Sequence, residues 1–340
     1  MVLMSRKEGT HMARYYYSVF GPYMVQFIEF KNSLGYKYKT AGWAFSSFDR
    51  LALEKDVPEP VVTKELADQY CIKRPNETEK TRHNRVSIIS QFARFLSNLG
   101  LRSYIATCPP VKNTYTPYIF SKEQVQTIFG VCDGLTLTRN RNSSVLAIPT
   151  LIRLLYGTGI RIREALSLAY NDVDLQAKYL ILRDTKNGKD RMAPISNSLA
   201  KVGREYVKYR DQFPLMKKAD RFFVKPDGSP MSTNSAYKWF RQILYKAGIP
   251  HGGRAQGPRL HDLRHTFSVH SLASMSESGL DLYYCLPILS TYLGHQSLRG
   301  TDTYVRLTAE MYPDLINKTS LLCSGVFPTT HTNTEDHETH

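Results

Sequence analysis

The run Arg259-Leu260-His261-Asp262-Leu263-Arg264-His265-Thr266-Phe267 sets the reading of this chain. His261 and Arg264 stand three residues apart, so on a helix they share a face. A histidine beside an arginine on one face suits phosphate chemistry, because one group moves a proton while the other holds negative charge. Upstream lies Gly157-Thr158-Gly159-Ile160-Arg161-Ile162-Arg163-Glu164-Ala165-Leu166. It reads as an apolar helix stopped at a glycine turn, with Arg161 opening the next helix. Glu164 falls one turn on, where it can orient the Arg161 guanidinium. Downstream lies Leu293-Gly294-His295-Gln296-Ser297, and Tyr304 follows His295 by nine residues. Between the two arginine segments, strand candidates at 179–182 and 192–195 flank the polar turn Asp184-Thr185-Lys186-Asn187-Gly188-Lys189. Taken singly, each piece has an ordinary explanation. A lone arginine is a surface cation, a lone histidine a satisfied structural group, and a lysine in a polar turn a solvated tip. A tyrosine in a chain with 22 of them usually just packs. The order and spacing of the pieces together say more than any one of them.

The composition agrees with a partner that carries phosphate. Lys and Arg number 45 against 30 Asp and Glu in 340 residues, a formal charge of +15. Such an excess points to a polyanion: DNA, RNA or an anionic membrane surface. Hydrophobic residues make up 42% and charged residues 22%, which excludes a disordered chain and allows one large or two ordinary domains. No apolar run reaches the roughly 18 residues of a membrane span. The first 17 residues carry charge early and lack an apolar stretch, so no signal peptide is expected. The five cysteines are scattered, without zinc-type spacing, which suggests a reducing cytosol and no disulfide framework.

Punctuation along the chain divides it. Residues 1–12 read as a flexible leader. From 13 to 105 the pattern is that of a small all-helical domain. Phe20, Met24, Phe27 and Ile28 recur at helical spacing, a second helix runs over 40–53, and Thr63 caps a short third. The basic stretch 73–85 leads into a last helix with Val86, Ile89, Phe92, Phe95, Leu96 and Leu99 on its apolar face. Within that stretch Lys73, Arg74, Lys80, Arg82 and Arg85 are either a DNA-facing cluster or the solvated start of a helix. Residues 106–120, with Pro109 and Pro110, form a linker. Residues 121–320 form a second, mostly helical domain with one strand insert, and 321–340 a flexible acidic tail.

In order and spacing, these motifs resemble the tyrosine recombinases, the phage-integrase and Xer-type family. The resemblance spans about residues 15–310. It places Arg161 and Arg264 as the two arginines that hold the scissile phosphate, Lys186 as the hairpin lysine and general acid (Lys189 competes for that position), and His295 as a phosphate hydrogen-bond donor. Tyr304 falls on the nucleophile that gives a 3′-phosphotyrosine, and Glu164 on the acidic residue supporting the arginine. The phenol needs a base, and His261 is the candidate. The implied fold is mainly α with a small β-sheet, an all-helical core-binding domain and an α+β catalytic domain forming a C-shaped clamp on duplex DNA. The implied activity is site-specific cutting and rejoining of DNA, for integration, excision or transposition of a mobile element, without metal, ATP or other cofactor. Implied partners are double-stranded recombination sites, a homo-tetramer at synapsis from monomers or weak dimers, and accessory recombinases or directionality factors. No membrane is involved, and the protein would work in the cytoplasm at the nucleoid. The stretch 281–293 is about one helical turn longer than in compact Xer-type members, and Pro287 can start a new helix there. This favours the transposon-borne branch. A helix around 309–316 is either exchanged between subunits or packed within its own chain. Two other readings stay open: a type IB topoisomerase, which shares the chemistry without synapsis, and a non-catalytic regulator on the same fold. An RNA binder has only the charge in its favour.

Overall fold

Phenylalanines dominate the first core. In the computed structural model, which describes residues 15–36, 38, 41–111, 116–136, 144–185, 190–212, 220–253, 257–295 and 297–312, the chain divides into two compact units, Met1–Tyr115 and Thr116–His340. The first unit holds four helices: α1 Gly21–Ser33, α2 Ala41–Glu54, α3 Lys64–Cys71 and α4 Glu79–Asn98. Phe20, Phe27, Phe45, Phe48 and Phe92 are all buried at its centre, and the rings of Phe45 and Phe92 meet edge-on at 5.2 Å. The side chains of Thr63 and Thr78 cap α3 and α4 by accepting the Leu66 and Thr81 backbone N–H groups. Buried Asp49 on α2 accepts from the backbone N–H groups of Tyr17 and Ser18 and from the Ser18 hydroxyl, which pins the chain's approach to α1.

Arg85 corrects the sequence reading. It belongs to the basic stretch, yet its side chain is 0% exposed. Its guanidinium donates to both oxygens of Glu77 at 2.8 Å, to the Ile72 carbonyl at 3.1 Å and to the Tyr70 carbonyl, and lies over the Tyr70 ring. It therefore ties α3 to α4 and offers no surface to DNA. Removing one member of such a pair leaves the other charged and buried, so Arg85→Ala is expected to cost about 3–5 kcal/mol of stability. A urea titration of this variant beside Lys73→Ala, expected within about 0.5 kcal/mol of the parent, checks it.

The second unit is mainly helical with one small sheet. Its elements are α5 Lys122–Asp133, α6 Ile148–Thr158, α7 Ile162–Ser167, β1 Val173–Asp174, β2 Tyr179–Leu182, β3 Arg191–Pro194, α8 Asn197–Arg210, α9 Thr233–Lys246, α10 Asp262–Glu277, α11 Leu282–Leu293 and α12 Arg299–Met311. A full capping box between Ser121 and Gln124 starts α5. The strands form an antiparallel sheet in the order β1-β2-β3, with Leu180 opposite Ala193 and Leu182 opposite Arg191. The apolar helix α6 packs against α5, α8 and α10, and α10 packs in turn against α11 and α12.

Two details differ from the sequence expectation. Helix α6 runs through Gly157 and ends at Gly159, whose φ of +60° supplies the left-handed cap. A Cβ at that position would overlap Phe267 and come within 3.0 Å of Leu293 Cδ2, so glycine is needed for space as well as conformation. Pro287 lies inside α11 instead of opening a new helix. No helix of the described residues is long and apolar enough to cross a membrane.

Candidate active site

Four segments far apart in sequence converge in the second unit. Arg161 stands immediately before α7, and the Glu164 carboxylate accepts both its backbone N–H at 2.9 Å and its Nη1 at 2.8 Å. From the other side Arg191, the first residue of β3, donates Nη2 to Glu164 Oε2 at 2.9 Å and Nε to the Tyr292 carbonyl at 3.1 Å. Burial raises the Glu164 carboxyl, but the hydrogen bonds from Arg191 and from the Arg161 backbone outweigh it and hold the group below its usual range. Glu164 thus stays ionised and braces two guanidinium groups at once.

Arg264, in the first turn of α10, is buried. It donates Nη1 to the Gly159 carbonyl at 2.7 Å and Nη2 to the Leu293 carbonyl at 3.0 Å. These bonds fix the guanidinium against the turn that ends α6 and the end of α11. Burial, and then the like charge of Arg161, push it down to about 10, so it remains a cation at neutral pH. Nη2 also meets His295 Nε2 at 2.8 Å, while His295 Nδ1 meets Thr301 Oγ1 at 2.8 Å. Arginine only donates, so Nε2 is the acceptor, and a neutral ring then carries its proton on Nδ1. Burial, Arg264 and Arg161 push His295 down to about 4, in keeping with that neutral form. Its position follows from Gly294, whose φ of +67° turns the chain out of α11. A Cβ on Gly294 would crowd the Arg191 guanidinium at 2.9 Å.

Tyr304 sits on α12 within the same chain. Its ring is buried with Val269 and Leu272 of α10 and with Cys285, Leu289 and Leu293 of α11. Its hydroxyl meets His265 Nδ1 at 3.0 Å. The phenol's hydrogen bond therefore goes to His265, not to His261 as the sequence reading expects. His261, one helical turn earlier, packs edge-on against the His265 ring at 4.9 Å. Burial, and then Arg264 and Arg259, push His261 down to about 4.

The structure thus brings together Arg161, Glu164, His261, Arg264, His295 and Tyr304. With the histidines neutral, three arginines face one carboxylate, and positive charge is in excess where a phosphodiester would be held. Lys186 and its competitor Lys189 lie outside the described residues. Three contributors were missed in the sequence, and each carried a signal. His265 is four residues from His261, on the same helical face. Arg191 alternates inward with Ala193 along β3. Thr301 is one turn before Tyr304 on α12.

In the first unit, Lys73, Arg74 and Lys80 are exposed. Lys73 pairs with Glu79 at 2.6 Å, and Arg74 donates to Ser47 Oγ at 3.2 Å. Arg82 is half-buried, with Nε on the Cys71 carbonyl at 2.8 Å. Of the five cations proposed for DNA, these four keep some surface and Arg85 does not.

Residues 119–311 match the phage integrase family. A Sinorhizobium fredii protein designated an integrase/recombinase is 28% identical over 88% of this chain and 97% of its own length. The tyrosine recombinase XerD of Corynebacterium glutamicum is 35% identical over 47% of this chain and 48% of its own. Among solved structures, the Tn1549 transposon integrase in complex with transposon right-end DNA overlays with a TM-score of 0.59 at 18% identity, covering 87% of this chain and 100% of that one.

Proposed function

The chain belongs to the phage integrase family, and we propose that it cuts and rejoins DNA at specific sites through a covalent 3′-phosphotyrosine on Tyr304. As a tyrosine recombinase it is a site-specific recombination enzyme. The observation that carries the finer reading is the Tyr304 hydroxyl, held on a histidine within the cluster that contains Arg264, itself braced on two backbone carbonyls.

Phosphodiesters resist attack because the phosphate is anionic and the alkoxide leaves poorly. The two arginines answer the first problem. Arg161 and Arg264 neutralise the non-bridging oxygens and never deprotonate at working pH. Lys186 answers the second by protonating the 5′ oxygen as it leaves. Glu164 holds Arg161 in position, His295 donates to the phosphate from Nε2 once that nitrogen has released Arg264 and taken up a proton, and His261 lines the phosphate beside Arg264. The phosphotyrosine conserves the energy of the broken bond, so rejoining needs no ATP. Rejoining to a new 5′-hydroxyl is recombination, and rejoining to the original one is relaxation. Metal-free catalysis, assembly as a tetramer on two duplexes inside the cell, and service to a mobile element belong to the same proposal. Lys73, Arg74, Lys80 and Arg82 would add phosphate contacts from the first unit.

Covalent trapping tests this. Purified protein mixed with nicked duplexes from the DNA flanking its own gene is expected to give a band that survives denaturation, with the nucleotide mapped by peptide mass spectrometry to Tyr304. An adduct on any other residue would sink the assignment. Products that join strands from two different duplexes separate a recombinase from a topoisomerase, which relaxes supercoils without them.

A further inference from the structure

We infer that His265 is the proton acceptor for the Tyr304 phenol, a catalytic role for the histidine that follows the second arginine. The inference rests on the reading that Tyr304 is the nucleophile. Its basis is contact: His265 Nδ1 lies 3.0 Å from the Tyr304 hydroxyl, and the two rings are 5.6 Å apart between centroids. A general base must reach the proton it removes, and this distance lies inside the required range.

Helix geometry explains how His265 gets there. It lies on α10 one position after Arg264, and α10 packs directly against α12, which carries Tyr304. The charged and titratable groups around the ring come from every element packed on it: His261, Arg259 and Arg264 from α10 and its lead-in, His295 from the turn after α11, and Tyr304 from α12. Burial, followed by those neighbours, pushes His265 down to about 3, so the free protein presents a neutral ring with a lone pair available. A neutral ring protonated on Nε2 accepts the phenol hydrogen bond at Nδ1. An incoming phosphodiester, and the further negative charge that grows during attack, stabilise an imidazolium at the same place.

The step balances. The Tyr304 O–H bond breaks and its proton passes to His265 Nδ1. The Tyr304 oxygen bonds to phosphorus as the bond from phosphorus to the 5′ oxygen breaks. That oxygen takes a proton from the ammonium of Lys186. On rejoining, the 5′-hydroxyl gives its proton back to the Lys186 amine as its oxygen bonds to phosphorus, the bond from phosphorus to the Tyr304 oxygen breaks, and the His265 imidazolium returns its proton to that oxygen.

Single-turnover cleavage by the full chain tests this on the nicked duplex that the parent protein cleaves, with His265→Ala and His265→Asn, from pH 6.5 to 9.5. Asparagine places an amide near the Nδ1 position, so it can keep a hydrogen bond to the phenol but cannot take its proton. Both variants are expected to be slower by about 10²- to 10³-fold at pH 7. Both should regain about tenfold per pH unit as hydroxide removes the phenol proton instead, while the parent profile stays nearly flat. If His265→Asn matched the parent rate with a flat profile, His265 would only position the phenol and the inference would fall. Parent-like cleavage by folded His265→Ala overturns it equally. If His265→Ala does not fold, His265→Asn decides alone. A parent protein that carries no adduct on Tyr304 would instead show the nucleophile reading to be wrong, whatever the variants do.

Discussion

Tyr304→Phe is expected to form no covalent DNA adduct, a loss of at least about 10⁴-fold, while binding the same duplex as tightly as the parent. The expectation follows from what the hydroxyl does and does not touch. Its oxygen is the atom that would bond to phosphorus, and among the described residues of the same helix no hydroxyl replaces it, since Thr301 and Thr308 turn theirs to His295 and to the Tyr304 carbonyl. The ring itself packs among Val269, Leu272, Leu289 and Leu293, and phenylalanine fills the same space. Only the bond to His265 is lost, a cost of about 1 kcal/mol. Affinity for DNA is expected to come from the arginines and the basic surface, which the variant retains. A denaturing gel and a salt-dependent binding curve on one duplex check both halves. A regulator without catalytic activity would show no adduct in the parent either. An adduct that persists in Tyr304→Phe contradicts the assignment.

How far the sequence could carry this reading depended on whether a residue's role follows from local spacing. The boxes around Arg161, His261 and His295 were legible because of their order and spacing along the chain, and β2 falls on the apolar run beside the polar turn, where the sequence places a strand. Arg85 was misread because charge was weighed before periodicity. It stands four, seven and eleven residues before Ile89, Phe92 and Leu96, all buried on α4, so its place on the inner face was already written in the spacing. Gly157 looked like the helix stop because it comes first, but the stop is set by the close approach of Phe267 and Leu293 to Gly159, which only the tertiary structure reveals. His265 escapes a reading of the sequence because it shares a helical face with His261, and nothing local separates the two. The packing of α12 on α10 makes the distinction. Arg191 was missed for a similar reason: a carboxylate 27 positions away and the end of α11 give it its role.

Arg264→Lys should slow cleavage by about 10²- to 10³-fold and also destabilise the second unit, whereas Arg161→Lys should slow cleavage to a similar degree with little loss of stability. The contrast comes from the partners of the two guanidinium groups. Arg264 spans the Gly159 and Leu293 carbonyls and His295 Nε2 with a planar fork. A lysine ammonium is a single point of donors and cannot reach three acceptors arranged around that fork. Each buried carbonyl left without a donor costs about 1–3 kcal/mol. The same two carbonyls aim the guanidinium, so an ammonium that finds one of them gives up its grip on the phosphate. Arg161 is different: its side chain is 23% exposed, and its one described ion pair is with Glu164, which Arg191 also holds. A lysine there leaves no buried acceptor stranded, and the loss is confined to bidentate contact with phosphate. Cleavage rates measured well below each variant's unfolding midpoint, together with urea midpoints, separate the two effects. Equal destabilisation by both changes would mean that Arg264 owes its burial to something other than the two carbonyls. A rate for Arg264→Lys within tenfold of the parent would remove Arg264 from the phosphate altogether.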